Sequence, residues 1–373
     1  MQTLPKEVEQ LFHYLQNGTS AFHVIAHTKQ VLTEAGFTEL HIKDNWTLTK
    51  GGRYFCSPFD TTLYAFTIGE SCDLSNGIHI AGAQTDFPAI KIKPNPEIFS
   101  HGYMQLNTEV YGGPILNTFF DRPLSLAGKV VTKGDRYDRP VKRPAVYLPN
   151  LAIHMNRAIN ENGAPIDNQK HLLPILGTLN EYLNKDTTFM DLLAKEIGVD
   201  AKDILDYDLC MYNLDQPELV GFTEEFISAP RLDDITSVCA LIHGLVESKN
   251  ADRVNLVCLF DNEEIGSLSK QGADSTLPSV IIGKIWQAFG KNQIDCMSDI
   301  SDGLMLSVDV AHAYHPNYPG TQDITNYPIM NGGFILKTAQ PPPFSWTVAP
   351  PAPPKSFPAT REKAALPLPF SYF

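Results

Sequence analysis

The chain has 373 residues, 43% of them hydrophobic, and a formal charge of −13, so it can bury a large core and has length for about two domains. The acidic balance argues against a nucleic-acid role, and no stretch of about 18 uncharged apolar residues offers a membrane span. Six scattered cysteines (Cys56, Cys72, Cys210, Cys239, Cys258, Cys296) form no C-x-x-C pair. That spacing suggests neither a disulfide framework nor a thiolate metal site, and fits reduced thiols in a cytoplasmic protein.

The N-terminus lacks a basic region followed by an apolar run, so no signal peptide is expected. Residues 5–36 read as helical. Val8, Leu11 and Leu15 recur at helical spacing, and Ser20 caps a second helix, Ala21 to Ala35, that Gly36 stops. Three short β-like runs follow at 39–42, 53–56 and 62–68. Then Gly77 to Asp86 forms an apolar strand that ends in polar groups. Phe87-Pro88 comes next, and proline cannot extend a central strand.

Residues 95–222 are expected to form a β-rich domain inserted into the first. Its strand candidates are 106–113, 115–122, 128–132, 145–148 and 206–212. Residues 151–159 read as a short helix or helical turn, 168–176 as loop, and 189–197 and 201–206 as helical pieces. The first domain resumes near Glu224, giving expected boundaries of 1–94 and 223–340. Asp233-Asp234 precedes a helix, Ile235 to Glu247, whose Val238, Leu241, Ile242 and Leu245 form an apolar stripe. The strand 254–260 runs directly into Asp261-Asn262-Glu263-Glu264. Pro278 opens another helix at its favoured first position, and the strand beginning at Leu304 leads to Asp309 and His312. Alternating strands and helices imply an α/β fold, a mostly parallel sheet flanked by helices on both faces, with the β-rich insertion. Residues 341–373 hold ten of the 28 prolines and read as an extended or disordered tail.

Polar clusters thus stand at or near strand ends four times: Gln84/Asp86, Asp233/Asp234, Glu263/Glu264 and Asp309/His312. In open α/β sheets the reactive groups sit beyond the carboxyl ends of the strands. Carboxylates gathered there repel one another unless a divalent metal pair is shared among them, and an oxygen-rich donor set suits Zn2+, Mn2+ or Co2+. For each pair alone, capping of a helix is the plainer explanation. There is no G-x-S-x-G elbow, P-loop or G-x-G-x-x-G to compete.

These residues carry a family resemblance. The segments Ala81-Gly-Ala-Gln-Thr-Asp-Phe-Pro88, Tyr111-Gly-Gly113, Phe120-Asp-Arg-Pro-Leu-Ser-Leu-Ala-Gly128, Leu151-Ala-Ile-His154, Ser228-Ala-Pro-Arg-Leu-Asp-Asp234, Phe260-Asp-Asn-Glu-Glu-Ile-Gly-Ser267 and Val308-Asp-Val-Ala-His-Ala-Tyr-His-Pro-Asn-Tyr318 resemble the aspartyl aminopeptidase family of zinc metalloaminopeptidases. The resemblance covers roughly residues 8–338. It implies a zinc-peptidase-like catalytic domain, a peptide substrate with an acidic first residue, two Zn2+ per subunit, and a homo-oligomer assembled through the inserted domain. It also implies roles. Asp233 would bridge the metals, Glu264 and Asp309 would each cap one, and Glu263 would be the general base. Asp86 would orient residue 84, His312 and Lys337 would touch substrate, and His154 would reach a neighbouring subunit's site.

Two departures from the family stand out. The family motif is H-T-D, with the histidine a metal ligand, whereas this chain has Gln84-Thr85-Asp86. Gln84 would then be a metal ligand through its amide oxygen, weaker for zinc than imidazole, so one ion would bind more loosely. The family also draws another histidine ligand from near its end, whereas here the last histidine is His315 and the matching pattern stops near Gln340. A frameshift or truncated reading frame would account for that switch. The alternative function is then a catalytically impaired member acting as a non-catalytic assembly subunit.

Overall fold

The computed structural model describes residues 4–134, 136–137, 140–249 and 251–335. The chain divides into two compact units. One comprises Met1–Asn17, Val24–Asp86 and Gln216–Phe373, the other Gly18–His23 and Phe87–Asp215. The main divisions fall at 86/87 and 215/216, compared with the 94/95 and 222/223 expected from composition. Among the described residues no helix is long and apolar enough to cross a membrane.

The first unit is built on a six-stranded sheet. Its strands lie in the order Thr38–Leu40, Arg53–Phe59, Thr62–Ile68, Val254–Phe260, Ile78–Gln84 and Leu304–Ser307. Val254–Phe260 and Leu304–Ser307 both run parallel to Ile78–Gln84. Thr38–Leu40 runs parallel to Arg53–Phe59, and Thr62–Ile68 is antiparallel to both its neighbours, so the sheet is mostly parallel with this one strand reversed. The reason is local: only Asp60 and Thr61 separate it from Arg53–Phe59, and so short a connection reverses the chain. Every residue of Thr62–Ile68 is buried, as a strand covered on both faces requires. Tyr64, Phe66 and Ile68 share one apolar cluster with Ile281, Ile282, Ile285 and Trp286 of the helix Leu277–Ala288. Strand alternation sends Leu63 and Ala65 to the other face. There the helix Leu232–Glu247 packs along the sheet. Helices therefore flank both faces.

The second unit contains its own six-stranded sheet, in the order Arg136–Tyr137, Leu124–Thr132, Ile204–Asn213, Ala89–Ser100, Tyr103–Tyr111 and Ile175–Thr178. All its pairings are antiparallel. Its core gathers Ile90, Leu106, Leu124, Leu126, Leu209 and Met211.

Several local expectations are corrected. Residues 115–122 form a short 3-10 helix, Leu116–Phe119, not a strand. Residues 201–203 make one 3-10 turn and the strand starts at Ile204, because β-branched and aromatic residues beyond that point pair with Leu124–Thr132. The loop read at 168–176 ends in the strand Ile175–Thr178. Residues 145–148 contribute only isolated bridges. A helix at Gln293–Ile300 was not anticipated, although its capping box, Asn292 with Asp295, is written in the sequence.

Candidate metal centre

Three adjacent parallel strands of the first unit, Val254–Phe260, Ile78–Gln84 and Leu304–Ser307, end at one edge of its sheet. Phe260 stands in register with Gln84, and Ser307 with Gly82. The residues just beyond them are Asp86, Asp261 to Glu264, and Asp309. The strand ends are stitched together. Thr85 N–H donates to Phe260 O at 2.7 Å, and its hydroxyl reaches Thr61 O at 2.8 Å and Phe260 O at 3.0 Å. Val308 N–H donates to Gly82 O at 2.8 Å.

Asp233 and Asp234 come to the same edge from the start of the helix Leu232–Glu247. Neither residue has helical backbone angles there, and the peptide bond between them is cis. Carboxylate oxygens of Asp233, Asp234 and Asp309 all lie within 4.8 Å of one another. Asp234 is only 1% exposed. Its Oδ2 accepts the Gln84 backbone N–H at 3.2 Å, and its Oδ1 is buried without a hydrogen-bond partner. Burial pushes the Asp234 carboxyl well above the usual carboxylate range. Hydrogen bonds from Ser237 and the Gln84 amide work against that shift, and the neighbouring Asp309 and Asp233 charges add to it.

Three carboxylates this close, one with an unsatisfied buried oxygen, fit a divalent cation. Oxygen donors at about 2.0–2.2 Å from a shared ion would need only small adjustments of such a set, and the cation would remove the mutual repulsion.

Asp86, 4% exposed, acts on the neighbouring turn. Its Oδ1 accepts the Glu263 N–H and its Oδ2 the Glu264 N–H, each at 3.2 Å. These amides lie at the start of the 3-10 turn Glu263–Ile265, entered through a left-handed Asn262, and would otherwise be orphaned. The Glu263 side chain is held from the opposite strand end, where Gln84 Nε2 donates to its Oε2 at 2.9 Å.

Most of the residues singled out in the sequence are thus gathered in one place: Gln84, Asp86, Asp233, Glu263, Glu264 and Asp309. His312 is exposed in the loop after Asp309. His154 belongs to the second unit, on the exposed 3-10 turn Ile153–Met155. Lys337 lies outside the described residues. Asp234, a candidate helix cap in the sequence, joins the acidic group here. Only the Asp-Asp doublet hinted at this, because sequence spacing does not reveal the turn that swings both side chains to one side.

The family described as aminopeptidase I zinc metalloproteases (M18) matches residues 14–342. The probable M18 family aminopeptidase 2 of Clostridium acetobutylicum is 42% identical over 336 residues, which cover 88% of this chain and 77% of that relative. A chain from the cryo-EM structure of the Ape4 and Nbr1 complex superposes with a TM-score of 0.84 at 29% identity, covering 89% of this chain and 70% of that one. The S. cerevisiae mApe1 dodecamer shares the fold, with a TM-score of 0.74 at 24% identity over 87% of this chain and 76% of its own.

Proposed function

From the finding that this chain belongs to the M18 family of aminopeptidase I zinc metalloproteases, we propose that it removes acidic N-terminal residues from peptides at a two-zinc centre. The single observation that carries the reading is the convergence of Asp233, Asp234 and Asp309 within 4.8 Å, beside a glutamate clamped at its backbone and side chain. Asp233, Glu264 and Asp309 would hold the zinc. When bound, zinc would supply Lewis acidity that polarises a carbonyl and makes water a nucleophile near neutral pH.

The protein's own groups do the rest. Glu263 is exposed to solvent, as a base that meets both water and substrate must be. It accepts a proton from the attacking water and returns it to the departing amine. Asp86 fixes the turn that carries both glutamates, so the base and its neighbouring ligand keep one spacing. His312 and Lys337 contact the peptide, and His154 reaches the site of an adjacent subunit. Self-association through the second unit belongs to the same proposal. Leu151, Ile153 and Met155 are 53%, 47% and 69% exposed on one short segment there, an arrangement suited to an interface. The six free, buried cysteines fit a cytoplasmic location.

The test is release of the first amino acid from short Asp-, Glu- and Leu-initiated peptides, with Zn2+ or Mn2+ and with chelator. Chelator-sensitive release that favours Asp and Glu is expected. Glu263→Gln should lower kcat by about 10²- to 10⁴-fold, the usual contribution of a positioned base. No release from the folded protein under any metal would leave a non-catalytic assembly subunit as the better account.

A further inference from the structure

A glutamine side chain has a donating end and an accepting end, whereas an ionised carboxylate only accepts. The 2.9 Å contact between Gln84 and Glu263 therefore fixes the amide: its NH2 group faces Glu263. The backbone of Gln84 is anchored as firmly, by its N–H on Asp234 Oδ2 and by its place opposite Phe260 in the parallel ladder. Gln84 is buried, while Glu263 is exposed at the tip of a single 3-10 turn. A glutamate there has three free torsions, and ordering such a chain costs rotamer entropy. A rigid donor on a buried strand end can hold it through a charge-assisted hydrogen bond.

We propose that Gln84 is the positioning residue for the Glu263 carboxylate, and that it serves the site through this hydrogen bond rather than as a zinc ligand. The proposal rests on the aminopeptidase reading above and goes beyond it, since the sequence placed Gln84 among the metal ligands. Asp234 completes the arrangement by fixing the main chain from which the amide projects.

Two substitutions and two readouts test it. Gln84→Met keeps the length of the side chain and removes the donor. Gln84→Glu keeps the shape and an oxygen but sets one carboxylate against another. Zinc affinity is measured without peptide, by competition with a chromophoric chelator, and kcat and KM are measured with an N-terminal Asp peptide. Gln84→Met should leave the zinc dissociation constant within about threefold while kcat falls about 10- to 100-fold at nearly constant KM. Gln84→Glu should lower kcat at least as far. Tenfold or greater weakening of zinc by Gln84→Met would overturn the proposal. So would Gln84→Glu binding zinc more tightly with kcat retained, the behaviour of an oxygen ligand. If the unmodified chain releases no amino acid, the aminopeptidase reading fails on its own. The zinc measurement still decides on Gln84: unchanged affinity supports its role as a donor, and weakened affinity makes it a ligand.

Discussion

His27 lies on the helix Ala21–Glu34, half-buried, with Tyr14 edge-on to its ring at 4.6 Å. Its pKa is lowered to about 4, chiefly by burial, with the nearby His13 and His243 adding to the shift and Glu34 opposing it. His243, also edge-on to Tyr14, is lowered mainly by burial. The folded state therefore holds His27 neutral where the unfolded chain would protonate it. Its contribution to stability is intact above about pH 6.5 and is lost as pH falls from there towards about 4. Urea unfolding between pH 7 and pH 4.5 should show the unmodified protein losing stability more steeply than His27→Gln, which cannot take up the proton. Equal slopes would refute this. Residue-level chemistry of this kind is invisible in sequence, because a histidine's burial depends on partners from other helices.

Pairing between strands depends on backbone features that a single residue can veto. Gly128 sits in the strand Leu124–Thr132 opposite Leu209 of Ile204–Asn213, with φ of +146°. A Cβ at this position would stand 2.0 Å from Asp208 O, closer than any real contact. The obstacle is backbone, so the two strands would have to part. Gly128→Ala should destabilise the second unit by about 3 kcal/mol and lower its thermal midpoint by about 10 °C. An unchanged midpoint in calorimetry would show that the ladder can flex there. At this scale the sequence was a fair guide where apolar runs were long, as at Thr62–Ile68 and Val254–Phe260. It failed at 115–122, where an apolar pair, Phe119 and Phe120, imitates a strand but one 3-10 turn turns the chain.

For the whole molecule, two units each have their own sheet and core, and the carboxylate group belongs to the first alone. The exposed run Leu151, Ile153 and Met155 belongs to the second. If that run seats another copy, the double substitution Leu151→Asp and Met155→Asp should shift sedimentation velocity towards smaller species. Charges introduced at the core of an interface go unpaired and desolvated. Unchanged sedimentation would place the interface elsewhere.

By itself, the sequence determined that the chain is α/β, that a β-rich segment interrupts it, and that acidic groups follow the strand ends. Each of these follows from local pattern: apolar runs stop at polar doublets, and the side-chain period shifts between 2 and 3.6. The tertiary structure alone decided what those groups do to one another. Strand register put Gln84 level with Phe260, so that its amide meets Glu263 rather than simply following Ala83 along the chain. The non-helical start of Leu232–Glu247 carried Asp234 into the acidic group. Contacts such as Gln84 to Glu263 and Asp86 to Glu264 join residues 179 and 178 positions apart, and no periodicity along a chain encodes separations of that length.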